Sequence, residues 1–563
     1  MIIIHSATGS QYFRNVVCLG TPDESGIPSA RQSEIDWCGS SIAPLPLPSG
    51  DGFGTEMPPM KKVFISLMLA LPLAGVRAAL PQPDLVAQIH FAGAQKISTA
   101  KDFNAFTNEF CSAEALVLRA QTADKVSAWL AGWLQTNVGV AMPAGAAKLR
   151  PLLDDLQAAE WFLEARAGAN QKPEVAVAIK LGGERAQLWQ ANLKLFFPAA
   201  SFKNANGWLF FESGTGAGKL VDGLARKTSV SDAAWLSVDV NWPRLAQWYP
   251  QLKELGLPET QFAVTAPDDN LRINGKFLFP EKLALNLEPW QVPTNTLHPP
   301  FVSFTAVRGF AAWLQAQSWA LPYKILPAPN QAFVWALPQI PYQTFAVAPV
   351  ADAASGLAQA YTNLHAALDR QKAAGKSIMP LALERANNGI TLTGIPFVAP
   401  YLHSVRDPAG QFLFVGAFPN TPRGKPLPVE LSQRLAQSNL VFYHWEITAE
   451  RLPQALNLSQ LGLLVTSHRQ LGGETASQKW IQKIAPKLGN TVTEISQSGP
   501  AELTFARKSA GVFTAMELLV LGNWLEAPNF PGCDLQLPPR PKNLRRPHPV
   551  PAPLSVPLPL PAK

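Results

Sequence analysis

Cysteine is scarce in this sequence. The 563 residues hold four: Cys18, Cys38, Cys111 and Cys533. No two form a Cys-x-x-Cys pair or stand at metal-ligand spacing, which excludes the thioredoxin-type motif and the common zinc modules. Charge is scarce as well, at 15% of residues against about 25% for an average globular protein. Runs long enough to cross a bilayer are missing. The longest apolar run, Val63 to Ala74, covers 12 residues, and at about 1.5 Å per residue it falls well short of the roughly 20 that a span needs. No His-Glu-x-x-His occurs. The histidines that follow the apolar run are His90, His298, His365, His403, His444, His468 and His548, and no two share helical metal spacing. The sequence therefore predicts no metal and no cofactor, and it names no catalytic residue.

What is present begins at Met60. Lys61 and Lys62 precede the apolar run, and Gly75, Val76, Arg77, Ala78 and Ala79 follow it. A positive n-region, a short apolar core and small residues at −3 and −1 make a secretory signal peptide, with cleavage expected after Ala78. Pro81 and Pro83 would stop a helix that ran on from the core. No cysteine follows for a lipid anchor, and no Arg-Arg pair precedes for twin-arginine export. The expected location is periplasmic or extracellular, with no transmembrane span after cleavage. Residues 1–59 precede the signal, carry loose clusters of Pro, Gly and Ser, and read as a disordered extension from a mis-assigned start.

The mature chain is long enough for two to four domains. It draws on 16 Trp and 29 Phe for its core. Processing leaves only Cys111 and Cys533, either one long-range disulfide or two separate thiols. The net charge of +7 is concentrated in part at the end, in Arg540, Lys542, Arg545, Arg546 and Lys563. This Pro-rich tail, residues 529–563, fits a polyproline or disordered segment and points to an envelope component or acidic polymer as partner, rather than nucleic acid.

Periodicity predicts an α+β chain of strands and short helices. Leu85–Phe91, Leu271–Phe279, Gln411–Val415 and Leu503–Phe505 read as strands. Asn274-Gly275 reads as a turn or bulge within the second. Ser98 reads as the N-cap of a helix that carries Phe103, Phe106 and Phe110. Val126, Leu130 and Trp133 continue helical spacing. One unit recurs, a strand that feeds straight into a helix. It occurs at Trp235–Leu245 and again at Phe442–Leu452. At a shift of 207 residues Asp239 meets Glu446, Asn241 meets Thr448, and Arg244-Leu245 meets Arg451-Leu452. Phe301–Val307 is a related shape. The repeat suggests two similar α+β halves at 79–325 and 342–528, joined by the Pro-studded stretch Pro322–Pro341.

Catalytic motifs fail on detail. Ser213 to Lys219 lies between a strand and a helix, as a phosphate loop does, but Ser213 stands where Gly is needed and Leu220 where Ser or Thr should hold Mg²⁺. Ser98 and Lys101 match the Ser-x-x-Lys of penicillin-recognising enzymes, and Tyr361 and Asn363 a Tyr-x-Asn. The matching Lys-Thr-Gly is absent, with Lys508 the nearest lysine. Trp129 with Trp133 and Trp313 with Trp319 are spaced for core packing or for sugar stacking. Asp154-Asp155 reads as a solvated helix face, Asp268-Asp269 as a turn, and His444 as structural. A carboxylate pair for glycoside hydrolysis has no sequence spacing by which to find it.

With its signal, its low charge and the phrase Asn206 to Phe211 leading into a Gly-rich turn and helix, the chain resembles large exported proteins of Gram-negative envelopes. The resemblance implies an envelope location and assigns no chemistry. The first expectation is a non-enzymatic envelope protein that binds or scaffolds. The alternative is a secreted hydrolase acting on cell-wall or polysaccharide material.

Overall fold

The computed structural model describes residues 84–531, except 99–108, 139–144, 169–172, 215–218, 230–232, 250–251, 254–255, 268–269, 317–324, 339–342, 374–379, 396–397, 419–424 and 467–474. The signal, the extension, Cys533, His468, Lys101, Trp319, Asp268-Asp269 and nearly all of the tail lie outside the described residues. None of the described helices is long and apolar enough to cross a membrane.

The chain runs through β1 (Leu85–Phe91), α1 (Ala94–Ser98), α2 (Ala113–Val138), α3 (Gly145–Ala158), β2 (Trp161–Ala167), β3 (Pro173–Lys180), α4 (Gly183–Phe196), β4 (Ser201–Ala205), β5 (Trp208–Ser213), α5 (Lys219–Lys227), β6 (Leu236–Val240), α6 (Trp242–Trp248), β7 (Glu259–Thr265) and β8 (Leu271–Leu278). After an irregular passage it continues with β9 (Ser303–Arg308), α7 (Ala311–Ala316), β10 (Gln331–Ala336), β11 (Thr344–Val350), α8 (Ala353–Ala373), β12 (Ala382–Ala386), β13 (Gly389–Thr393), β14 (Tyr401–Asp407), β15 (Gly410–Gly416), α9 (Val429–Leu435), β16 (Leu440–Ile447), α10 (Thr448–Thr466), α11 (Ala476–Ile484), β17 (Asn490–Gly499), β18 (Glu502–Ser509) and α12 (Ala515–Glu526).

All 18 strands join one antiparallel sheet. The pairings give the spatial order β4-β5-β3-β2-β1-β6-β7-β8-β18-β17-β16-β9-β10-β11-β15-β14-β13-β12. On each side of the β8–β18 contact the same sequence of connections unfolds. β1 and β9 each pair with the next strand and with the strand that precedes α6 or α10. Both leave through a glycine with positive φ, Gly93 at +88° and Gly309 at +80°, and turn at once into a helix. At Gly93 a Cβ would also collide with the backbone of Ala158–Glu160, so the turn needs glycine for both reasons. β12 and β13 form an additional hairpin at the outer edge of the second run.

The two faces of the sheet are covered differently. One face carries α4, α6, α8, α10 and α12. α6 packs on Ile89, Val238 and Val240, α4 on Ile179 and Leu209, and α8 on Leu413 and Ile390, while α10 and α12 pack on each other and on α2 and α11. The other face carries α5 over Ala176, Ala178 and Phe210, and α9 over Phe304, Phe333, Trp335 and Phe414. Between α5 and α9, strands β6, β7, β8, β18 and β17 bear no helix on that face among the described residues. Their outward side chains there are half-buried or exposed, as the strict alternation from Leu271 to Gly275 shows.

The fold is richer in strand than a set of short helices implies, and several helices are long: α2 has 26 residues and α8 has 21. Asn274-Gly275 makes no turn. Both residues lie inside β8, paired with Ala506 and Phe505, and Gly275 gives room to the Phe262 ring. Ser98 is the last residue of α1, its hydroxyl donating to the Gln95 carbonyl at 3.0 Å; the helix expected after it, with Phe103 and Phe106, lies outside the described residues. Within Pro322–Pro341, Gln331–Ala336 forms β10, so that part of the stretch belongs to the sheet. The long irregular passage lies instead between β8 and β9.

The recurring unit is one residue out of step. The Asn241 N–H donates to Val86 O, and the Ile447 N–H donates to Val302 O, each at 2.8 Å. These are the same rung of the two runs, so Val240, not Asp239, stands where Glu446 stands. A slip of one residue in a strand moves a side chain to the opposite face. Asp239 accordingly sits beside Gln88 on the open face, and Glu446 beside Ser303 under the helices.

Candidate functional site

The uncovered strip brings together polar residues far apart in sequence. Cross-strand rows run Asp239–Gln261–Lys276–Thr504–Ser496 and Ser237–Ala263–Asn274–Ala506–Glu494. A third row places Arg272 directly opposite Lys508, both exposed. Lys276 Nζ lies 3.4 Å from Glu502 Oε1, and Arg434 Nε 3.5 Å from Glu494 Oε1. Small side chains at Ser237, Ala263 and Ala506 keep the middle of the strip low, while α5 and α9 stand at its sides.

One end of the strip holds a carboxylate pair. Gln261 Nε2 donates to Glu259 Oε1 at 3.2 Å and reaches Asp239 Oδ2 at 3.5 Å. Asn241 Nδ2 donates to Glu259 Oε2 at 2.9 Å. Burial pushes Asp239 up to about 6, and the neighbouring Glu259 charge adds to the shift. The Gln261 and Asn241 side-chain amides hold Glu259 in place. A carboxyl that titrates near neutral pH can give and take a proton in that range.

Under the helices of the second run lies a different polar file. Thr305 Oγ1 and His444 Nδ1 are 2.8 Å apart, and His444 Nε2 is 3.2 Å from Glu446 Oε2. Glu446 is buried. Burial alone would raise its pKa, but hydrogen bonds from His444, the Ala515 N–H at 2.8 Å and the Thr448 hydroxyl at 2.7 Å hold the carboxyl below the ordinary range. Ala515 opens α12, whose N-terminus also favours a negative charge. The file continues through Thr448, Thr491 and Ser509, with oxygens 3.3 and 2.6 Å apart.

The residues singled out in the sequence are scattered. Ser98 sits on α1 in the first run and Tyr361 on α8 over the far end of the second, with Lys508 on β18 between, so no penicillin-type site is assembled among the described residues. Tyr361 instead lies under the Arg385 guanidinium. Asp155 is no solvated residue: it accepts from Arg185 and from Trp189 Nε1 at 2.8 Å, tying α3 to α4. Trp133 packs in the α2–α4 core, and Trp313 is exposed. His90 is buried, stacked on Phe162 and bonded to Glu160. His403 is a β14 residue whose burial lowers its pKa. Cys111 is exposed. Among the described residues no group of three or more His, Cys, Asp or Glu is arranged to hold a metal ion. Sequence reasoning missed Asp239, Glu259, Arg272 and Thr305 as site residues, because each acquires its neighbours only through strand pairing.

No family model, curated protein or solved structure matches the chain.

Proposed function

We propose that this protein is exported to the cell envelope and binds an acidic polymer there, without chemistry, along the uncovered strip. The observation that carries the reading is the Arg272–Lys508 pair. The two cations are exposed, one rung in from the end of the β8–β18 ladder, on a face that no helix covers there among the described residues, where an acidic polymer would meet both. Export rests on the Met60–Ala78 signal. The similar order of elements on either side of β8–β18 supports two related halves, with the boundary in the passage 279–302. Titration with a carboxylated polysaccharide, with neutral dextran as control, tests the binding. The expected result is binding that weakens with salt and falls roughly tenfold in the Arg272→Ser/Lys508→Ser double variant. Equal binding by that variant, or none by the parent, would sink the reading.

The second reading, a hydrolase acting on cell-wall or polysaccharide material, draws on Asp239 and Glu259 at the end of the same strip. A pair of carboxyl groups, one of them with a raised pKa, is the usual equipment for glycoside hydrolysis. Release of reducing ends from polysaccharide, abolished in Asp239→Asn and Glu259→Gln, would replace the first reading by this one.

A further inference from the structure

We propose that Thr305 is a nucleophilic hydroxyl that accepts an acyl group from an ester, with His444 as its base and Glu446 as the group that orients the base. Three independent observations carry this. The first is geometry. Thr305 Oγ1, the His444 ring and the Glu446 carboxylate lie in single file at 2.8 and 3.2 Å. Glu446 accepts at Nε2, which leaves Nδ1 as the acceptor for the Thr305 proton.

The second is that the fold does not require these residues. On the matching rungs of the first run, Ile89 pairs with Val238, and Ala87 with Val240. There the same strands under the same helix position close with hydrocarbon. In the second run Thr305 pairs with His444, and Ser303 with Glu446. Burying a carboxylate and an imidazole costs free energy that a packed aliphatic core does not.

The third is access. Ser303, Glu446, Thr491 and Ser509 are sealed beneath the helices, but Thr305 and His444 are only half-buried. Beyond them the same face is apolar and part-exposed, at Val307, Val334 and Phe442. That floor suits the hydrocarbon of an ester.

The step balances without an external reagent. Thr305 Oγ attacks the carbonyl carbon of the ester. A new C–O bond forms to Thr305, and the bond to the leaving alkoxide breaks. The Thr305 proton passes to His444 Nδ1 and from there to the departing oxygen. β9 is paired on both sides, so its N–H groups lie in the plane of the sheet and do not face the reacting carbonyl. Turnover should therefore be slow, and the acyl-threonine should accumulate.

The test uses the full mature chain with p-nitrophenyl acetate and, separately, a fluorophosphonate probe, followed by peptide mass mapping. The expected result is one adduct, on Thr305. It should persist in Thr305→Ser, vanish in Thr305→Val and form at least tenfold more slowly in His444→Gln. Thr305→Val is nearly isosteric, and circular dichroism checks its fold. If it fails to fold, mapping of the parent adduct decides alone. No adduct on Thr305 in the parent, or undiminished labelling in His444→Gln, would overturn the proposal. The carbohydrate assays above do not involve this face, so the two outcomes are independent.

Discussion

Glu109 shows how a single carboxyl can set the pH response of a fold. It is buried, accepts from the Val512 N–H at 3.2 Å, and has no cation beside it among the described residues. Burial raises its pKa to about 7, although the Val512 bond opposes the shift. The folded state therefore holds this proton more tightly than the unfolded chain does. The stabilisation is fully present below the ordinary value of 4.5 and is lost as pH rises to 7. Glu109→Gln should raise the melting temperature at pH 8 and flatten its dependence between pH 5 and 8. A melting profile unchanged by the substitution would refute the assignment. Arg308 is the opposite case, a buried cation with no carboxylate beside it among the described residues. Its guanidinium donates to the carbonyls of Glu288, Gln437, Ser438 and Leu440 at 2.7–2.9 Å and lies over the Trp290 ring. Arg308→Lys loses the planar fork and leaves several buried carbonyls unpaired. It should cost about 3 kcal/mol or more in a denaturant titration.

At the scale of elements, α12 is the best-specified helix. Thr514 caps it, and Glu517 returns the bond to the Thr514 N–H, a capping box. Glu517 also receives both Arg507 nitrogens, at 2.7 and 2.9 Å, so the cap ties the helix to β18. Burial works against the Glu517 charge, but Arg507 outweighs it and holds the carboxyl low. Thr514→Ala should cost about 1 kcal/mol by the usual cap penalty, and Arg507→Lys should lower the stability further through the lost bidentate pair. Both follow from thermal melts; a Thr514→Ala variant as stable as the parent would show that α12 is held by packing alone. The sequence shows the Thr-x-x-Glu spacing at 514–517, but nothing in it shows that Glu517 meets Arg507, since that contact crosses from helix to strand.

For the whole molecule, the decisive contact is β8 with β18, eight residue pairs from Leu271–Ser509 to Leu278–Glu502. It joins the end of the first run to the end of the second. The core around Val238 and Ile273 also takes Val512, Phe505 and Phe513 from the far end of the chain. The two runs thus share both a sheet and a core. Calorimetry of the mature protein should show one cooperative transition, and two well-separated transitions would show that the halves unfold independently. Gly275→Val places a side chain against Phe262 at this joint and should lower that single transition as a whole.

The amino-acid sequence by itself determined the local elements. Alternation set β8, short apolar runs set β1 and β15, and the strand-to-helix unit at Asn241 and Pro243 set β6 and α6, because strand patterning and helix entry act over a few neighbouring residues. The repeat of that unit was legible, but its register was not: Asp239 and Glu446 align in sequence and stand on opposite faces. Register depends on which strand lies alongside, and that is settled by partners more than a hundred residues away. Only the tertiary structure could therefore decide that Arg272 faces Lys508, that Asp239 meets Glu259, and that Thr305, His444 and Glu446 form one file.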